Sequence, residues 1–143
     1  MGDAILVDDS EEVWAHLLAC HQGQSRGGHV RVDLICDNYG QELVTDLIFG
    51  EFLLASKLAT QVCYHVKGLP WFVSDTTIPD FLRMLDIIDD HNGKYGQKWR
   101  NYLMNGKFVL TTDPFWTLPY DFDYMQVRKK NLFRILVYCV RFC

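Results

Sequence analysis

An α/β domain with a mostly parallel sheet is the fold class this sequence predicts, and three observations carry it. Strand-like runs at Val30–Cys36, Gln61–Val66 and Lys107–Thr112 alternate with segments whose apolar residues recur at helical spacing. The helices fall between successive strands, where crossover connections of a parallel sheet belong. No internal repeat or low-complexity tract interrupts the pattern.

The elements follow in order. Ala4–Val7 reads as a short strand or as the tail of a missing element, after which Asp9 or Ser10 caps a helix with Glu11 and Glu12 in its positive first turn. Val13, Trp14, Leu17 and Leu18 give that helix a stripe predicted to be buried, and the Gly-rich stretch His21–His29 reads as a loop. Val30, Val32, Leu34 and Cys36 alternate as in a strand, and from Gln41 the pairs Leu43/Leu47, Val44/Ile48 and Ile48/Phe52 mark a helix. QVCYHV, residues 61–66, is a second strand rich in β-branched and aromatic residues. WFVSDTT then approaches Asp75, and Pro79 opens a helix with Phe81, Leu82, Leu85 and Ile88 on one face. Asp89, Asp90, Asn92 and Gly93 are predicted to end it, with a further helix over Gln97–Met104 before the strand KFVLTT.

Composition narrows the function. With 143 residues, 49% of them hydrophobic, the chain can bury one core. A net charge of −4 gives a nucleic-acid partner no electrostatic support. No apolar run reaches membrane-spanning length, and MGDAILVDDSEE lacks the parts of a signal peptide. The five cysteines form no C-x-x-C pair and read as reduced thiols of a cytosolic protein, with the nucleus as the alternative compartment.

Chemistry is expected at the strand ends. Asp37-Asn38-Tyr39-Gly40 stands at a strand-to-helix turn, where open α/β sheets bind ligands. Asp75 takes the equivalent place after the next extended segment, with Thr76 and Thr77 leading into another helix. Two carboxylates and a carboxamide oxygen there suit a hard cation such as Mg²⁺ or Mn²⁺, and helix N-termini beside it favour a phosphate. On pattern alone the same residues are more often ordinary caps and turns.

The strand followed by DNYGQELVTDLIFGEFLL, then KGLPWFVSDTT, then FWTLP, resembles the metal-dependent damage-control phosphatases, in their hexose-phosphate branch, also described as acidic residue methyltransferase. The resemblance runs from about residue 4 to about residue 126, and it implies several things. Asp37, Asn38 and Asp75 would be the metal ligands and catalytic residues, with Asp37 and Asn38 also contacting the substrate phosphate. Glu42, together with Asp75, would contact S-adenosylmethionine. Substrates would be sugar phosphates such as fructose 1-phosphate and fructose 6-phosphate, and the metal Mn²⁺ or Ni²⁺, with Co²⁺ an alternative. Residues 1–126 would form a partial phosphatase domain, the core fragment of a larger α/β fold. Residues 127–143, VRKKNLFRILVYCVRFC, depart from the family pattern as a divergent tail, in place of its Lys-Gly-Asp-Leu-Asn-Tyr-Arg phosphate clamp. A catalytically impaired truncated isoform is therefore an alternative to the phosphatase, and S-adenosylmethionine-dependent methylation of protein glutamate another. The latter lacks a Gly-rich loop, since the strand-end motif holds a single glycine.

Other residues carry plainer readings. His65 is expected to be a satisfied core or edge histidine and Cys36 an inert strand thiol. Lys67 could reach an anion near Asp75, but a lysine before a Gly is more often a solvated loop residue. Trp71, Phe115 and Trp116 are expected in the core.

Overall fold

The computed structural model describes residues 8–22, 28–120 and 136–137. The strand expected at Ala4–Val7 and most of the divergent tail lie outside the described residues. The elements are α1 (Ser10–Gln22), β1 (Arg31–Ile35), α2 (Gln41–Ala55), β2 (Gln61–Val66), α3 (Ile78–Met104), β3 (Phe108–Thr112), a 3₁₀ turn at Pro114–Thr117, and β4 (Leu136–Val137).

The strands form one parallel sheet in the order β3-β2-β1-β4. This is the α/β class predicted from the sequence. Because β1, β2 and β3 step across the sheet in one direction, right-handed crossovers place α2 and α3 on the same face. That face is the core: Val32, Leu34, Val62, Tyr64, Val66 and Phe108 meet Leu43, Leu47 and Leu53 of α2 and Phe81 and Leu85 of α3, all buried. The Tyr64 ring lies 5.1 Å from that of Phe81 and 5.0 Å from that of Phe108. β4 pairs with the other edge of β1, so the direction of strand order reverses at β1 and opens a crevice beyond its carboxyl end.

Burial in β1 does not follow the alternation of its sequence. Val32, Asp33 and Leu34 are all buried, as in a strand covered on both faces. In α1, the Ser10 amide donates to Asp8 Oδ1 at 3.0 Å, so the side chain that holds the helix start belongs to Asp8, ahead of the expected cap. Leu17 anchors the helix while Trp14 is exposed, which narrows the buried stripe to Val13, Leu17 and Leu18. In α2 the pair Leu43/Leu47 is buried, but Ile48 and Phe52 face outward.

The helical pattern of α3 runs unbroken for 27 residues, through the predicted stop at Asp89–Gly93. It is not straight. Arg100 pairs with both Asp86 and Asp89, whereas a straight helix would hold positions 86 and 100 about 21 Å apart. The segment therefore folds back on itself, and a Cβ at Gly96 would lie 2.9 Å from the Asp89 amide nitrogen. Two helices read from the sequence and one continuous pattern in the structure are reconciled by this bend. Past the bend, Lys98 and Trp99 both donate to the Glu51 carboxylate and tie α3 to α2. No helix among the described residues is long and apolar enough to cross a membrane.

Gly50 is where α2 seats on the sheet. A Cβ there would overlap the Tyr64 hydroxyl and lie 3.0 Å from Tyr64 Cζ. The tyrosine cannot yield, because its ring is held by Phe81 and Phe108 and its hydroxyl donates to Asp46 O at 3.3 Å. Alanine would gain about 1 kcal/mol of helix propensity, against roughly 1–3 kcal/mol of overpacking. Gly50→Ala is thus expected to lower the chemical-denaturation midpoint; an unchanged or higher midpoint would show that α2 is free to lift.

Candidate active site at the strand ends

The register of β1 on β2 positions the site. Ile35 lies opposite His65, so Asp37 comes level with Lys67 just beyond both strands. The chain after β2 then returns over these ends. Thr76 N donates to Asp37 O at 2.6 Å, Lys67 N to Thr76 O at 2.9 Å, and Tyr39 N to Ser74 O at 2.7 Å. Backbone bridges join Asn38 to Asp75 and Lys67 to Thr77. Asp75 is therefore fixed beside the Asp37-Asn38 turn by main-chain hydrogen bonds.

The side chains converge on a buried ammonium. Lys67 Nζ lies 3.7 Å from Asp37 Oδ1 and 3.5 Å from Asp75 Oδ2, and donates to Cys36 O at 3.1 Å. Asp75 is 6% exposed, whereas the Asp37 side chain is 31% exposed and faces the opening. Burial pushes the Asp75 carboxyl above the usual carboxylate range; the Lys67 ammonium opposes this and Asp37 adds to it. Asn38 Oδ1 accepts from Ser74 Oγ at 2.7 Å, and its Nδ2 donates to Glu42 Oε2 at 3.0 Å. Glu42, in the first turn of α2, is thereby tied to the strand-end motif.

The two helix starts differ. At α3, Thr77 and Asp80 form a reciprocal capping box behind Pro79, which satisfies that N-terminus internally. At α2 the N-cap is Gly40, which has no side chain to cap the first turn, and that helix start faces the strand-end acids. Gly40 sits at φ 111° and ψ −134°, a conformation that a side chain strains. A Cβ there would meet nothing within 4 Å, so its backbone angles, rather than a close approach, explain the glycine. Before Asp75 the loop is strained: Phe72 and Val73 have φ of 47° and 68°, unusual for a β-branched or bulky residue, and both are exposed.

Asp37, Asn38 and Asp75 thus lie together at the ends of adjacent strands, with Glu42 one hydrogen bond away. Lys67 is buried between the acids, a correction to its reading as a solvated residue. The available signal was its parity with Gln61, Cys63 and His65, which continues the strand's alternation to the site. His65 is buried as expected, and its Nε2 contacts Asp33 Oδ1 at 2.6 Å, but its Nδ1 has no partner. Cys36 is buried, and burial holds its thiol well above the ordinary range. Of the aromatics expected in the core, Trp71 is exposed, while Phe115 and Trp116 are half-buried and Trp116 packs its ring edge-on 5.2 Å from His65.

An open parallel sheet with an oxygen-lined crevice at its switch point, under an uncapped helix start, defines the class: an α/β domain that binds its ligand at the strand ends. Residues 1–137 match the damage-control phosphatase ARMT1-like domain, and the chain belongs to that family. The match extends past residue 126, where the sequence reading draws the start of the tail. A Danio rerio protein named damage-control phosphatase ARMT1 is 44% identical over 137 residues, covering 92% of this chain and 31% of its own length. The human protein of that name is 43% identical over 122 residues, covering 82% and 28%, and the Xenopus laevis protein 37% over 134 residues, covering 90% and 30%. The chain spans under a third of the length of these relatives.

Removing Lys67 tests this electrostatic arrangement. Asp75 has a raised folded-state pKa, so the native state favours its protonated form, and stability falls as pH rises from the usual carboxylate range through that pKa. Without the ammonium that opposes the shift, the fall steepens. Lys67→Met is expected to cost about 2 kcal/mol at pH 7, below the value for a fully buried pair because Asp37 is partly solvated. The deficit should shrink toward pH 4. A deficit that is constant across that range in thermal melts would show that the lysine acts by packing alone.

Proposed function

We propose that the chain carries the metal- and phosphate-binding centre of a sugar-phosphate phosphatase. The observation behind this is the pair of acids from adjacent strand ends, Asp37 and Asp75, gathered about one cation with Asn38 beside them. Their donor set, two carboxylates and an amide oxygen, fits a hard or borderline divalent ion, with Mn²⁺, Ni²⁺ and Co²⁺ as the candidates. Asp37, Asn38 and Asp75 would hold it. When bound it would supply Lewis-acid polarisation of a phosphate oxygen and neutralise charge as the ester bond breaks.

The chain's own groups account for the rest. Asp75, buried and fixed by its backbone bridge, anchors the centre, while the more exposed Asp37 meets the substrate. Asn38 is oriented by Ser74 and Glu42. The uncapped start of α2 receives phosphate oxygens on its N–H groups, and the Lys67 ammonium adds positive charge next to them. The substrates proposed are fructose 1-phosphate and fructose 6-phosphate. A role in S-adenosylmethionine binding would use Glu42 and Asp75, and there the ligand must compete with the Asn38–Glu42 hydrogen bond.

Phosphate release from fructose 1-phosphate is expected to require Mn²⁺ or Ni²⁺ and to fall about 10³-fold in Asp37→Ala or Asp75→Asn, the equivalent of several kcal/mol of transition-state stabilisation. Calorimetry should show Mn²⁺ binding weakened in both variants. Mn²⁺ binding by the native chain without any phosphate release would refute the phosphatase reading and leave a metal-binding core.

A further inference from the structure

We propose that Asp33, Cys63 and His65 form a second metal site, for a zinc-class divalent ion, on the sheet face turned away from α2 and α3. Val62, Tyr64 and Val66 point to the helices, so Cys63 and His65, at the alternate positions of β2, point the other way. Asp33 is the register partner of Cys63 on β1, which puts all three on one patch of the sheet. Along the strands, Asp33 and Cys63 lie about 13 Å back from the level of Asp37, and His65 about 7 Å back. The group is separate from the strand-end acids.

Donor chemistry points to the ligand. A carboxylate, a thiol and an imidazole offer atoms that all lie within 4.8 Å of one another, and all three residues are buried. Bonds of 2.0–2.3 Å in tetrahedral zinc sites place ligand atoms roughly 3.2–3.8 Å apart, within reach of small side-chain rotations. The independent observation is His65 Nδ1, buried without a hydrogen-bond partner although the side chain is only 4% exposed. Most buried polar side-chain atoms have a partner, so the orphaned nitrogen marks a site whose polar complement is incomplete, which an ion on the imidazole would complete.

Two features describe the metal-free state. Burial pushes the Cys63 thiol up to about 12, so without a metal it stays protonated and unreactive. Arg31 donates to Asp33 Oδ1 from Nε at 3.1 Å and Nη2 at 2.5 Å, neutralising the carboxylate. Its side chain is 35% exposed, so it can leave for solvent as an ion takes over the charge. The Cys63 proton is released when the metal–sulfur bond forms.

A Co²⁺ titration of the full chain separates the two centres, because only the Cys63 site has a sulfur donor. Native protein is expected to develop a thiolate-to-cobalt charge-transfer band that saturates at one ion per chain. The band should be absent in Cys63→Ser, need at least tenfold more Co²⁺ in His65→Gln, and persist in Asp37→Ala. Arg31→Gln, which removes the competing cation without touching a ligand, should bind several-fold more tightly and tests the site even where Cys63→Ser fails to fold. No band in the native chain, a band surviving Cys63→Ser, or no gain in Arg31→Gln would each overturn the proposal.

Discussion

The parallel register between β1 and β2 is the constraint on which the rest depends. Pairing Arg31 with Gln61 and Ile35 with His65 brings Asp37 level with Lys67 and Asp33 level with Cys63. A slip of one residue would turn every side chain of a strand to the opposite face. A slip of two would keep the faces but draw Asp37 from Lys67 by about 7 Å, beyond ion-pair reach. The apolar side of the strands enforces the register, since Leu34 and Tyr64 must both stay under the helices. Packing on one face thereby sets polar chemistry on the other face and at the strand ends.

Charge is buried at those ends, and its cost is met by arrangement. Lys67 and Asp75 are both largely removed from water, which is expensive for either alone, and each compensates the other. The loop that delivers Asp75 adds a further expense, roughly 1–3 kcal/mol for each residue held in a left-handed conformation, here Phe72 and Val73. Main-chain bonds from Tyr39 to Ser74 and from Thr76 to Asp37 hold that loop down. The site is buried and bonded through its main chain where it would grip a cation, and exposed where a substrate would arrive.

Much of this was legible in the sequence. β2 was recognisable because Val62, Tyr64, His65 and Val66 have strong strand preference, and α3 because Pro79 marks its start. The acid–amide motif marked the strand end as a place for chemistry only beside the longer family pattern, because Asp and Asn before a helix serve more often as turn and cap residues. What escaped was set by tertiary contacts. Neither the bend in α3 nor the reason for Gly96 can be seen until Arg100 meets Asp86 and Asp89. Lys67 looked solvated because a Gly follows it, while its burial comes from the segment Ser74–Thr77 folding over it. The Asp33–Cys63–His65 group joins residues about thirty positions apart, and only strand pairing reveals their proximity.

The loop closures also bear on synthesis. Asp37, Lys67, Asp75 and the capping pair Thr77 and Asp80 fall within one continuous stretch, and their pairing needs only β1, α2, β2 and the first turn of α3. At roughly 5–20 residues per second, that stretch leaves the ribosome about 1–6 seconds before β3, and longer before β4. The acids can meet while the sheet is still two strands wide, with the β2 edge that later receives β3 exposed. A nascent chain at this stage combines an assembled ion-binding end with an unpaired edge, the combination most exposed to mispairing. The bend in α3 shortens that interval in space, returning the chain over the core so that Phe108 arrives beside Tyr64.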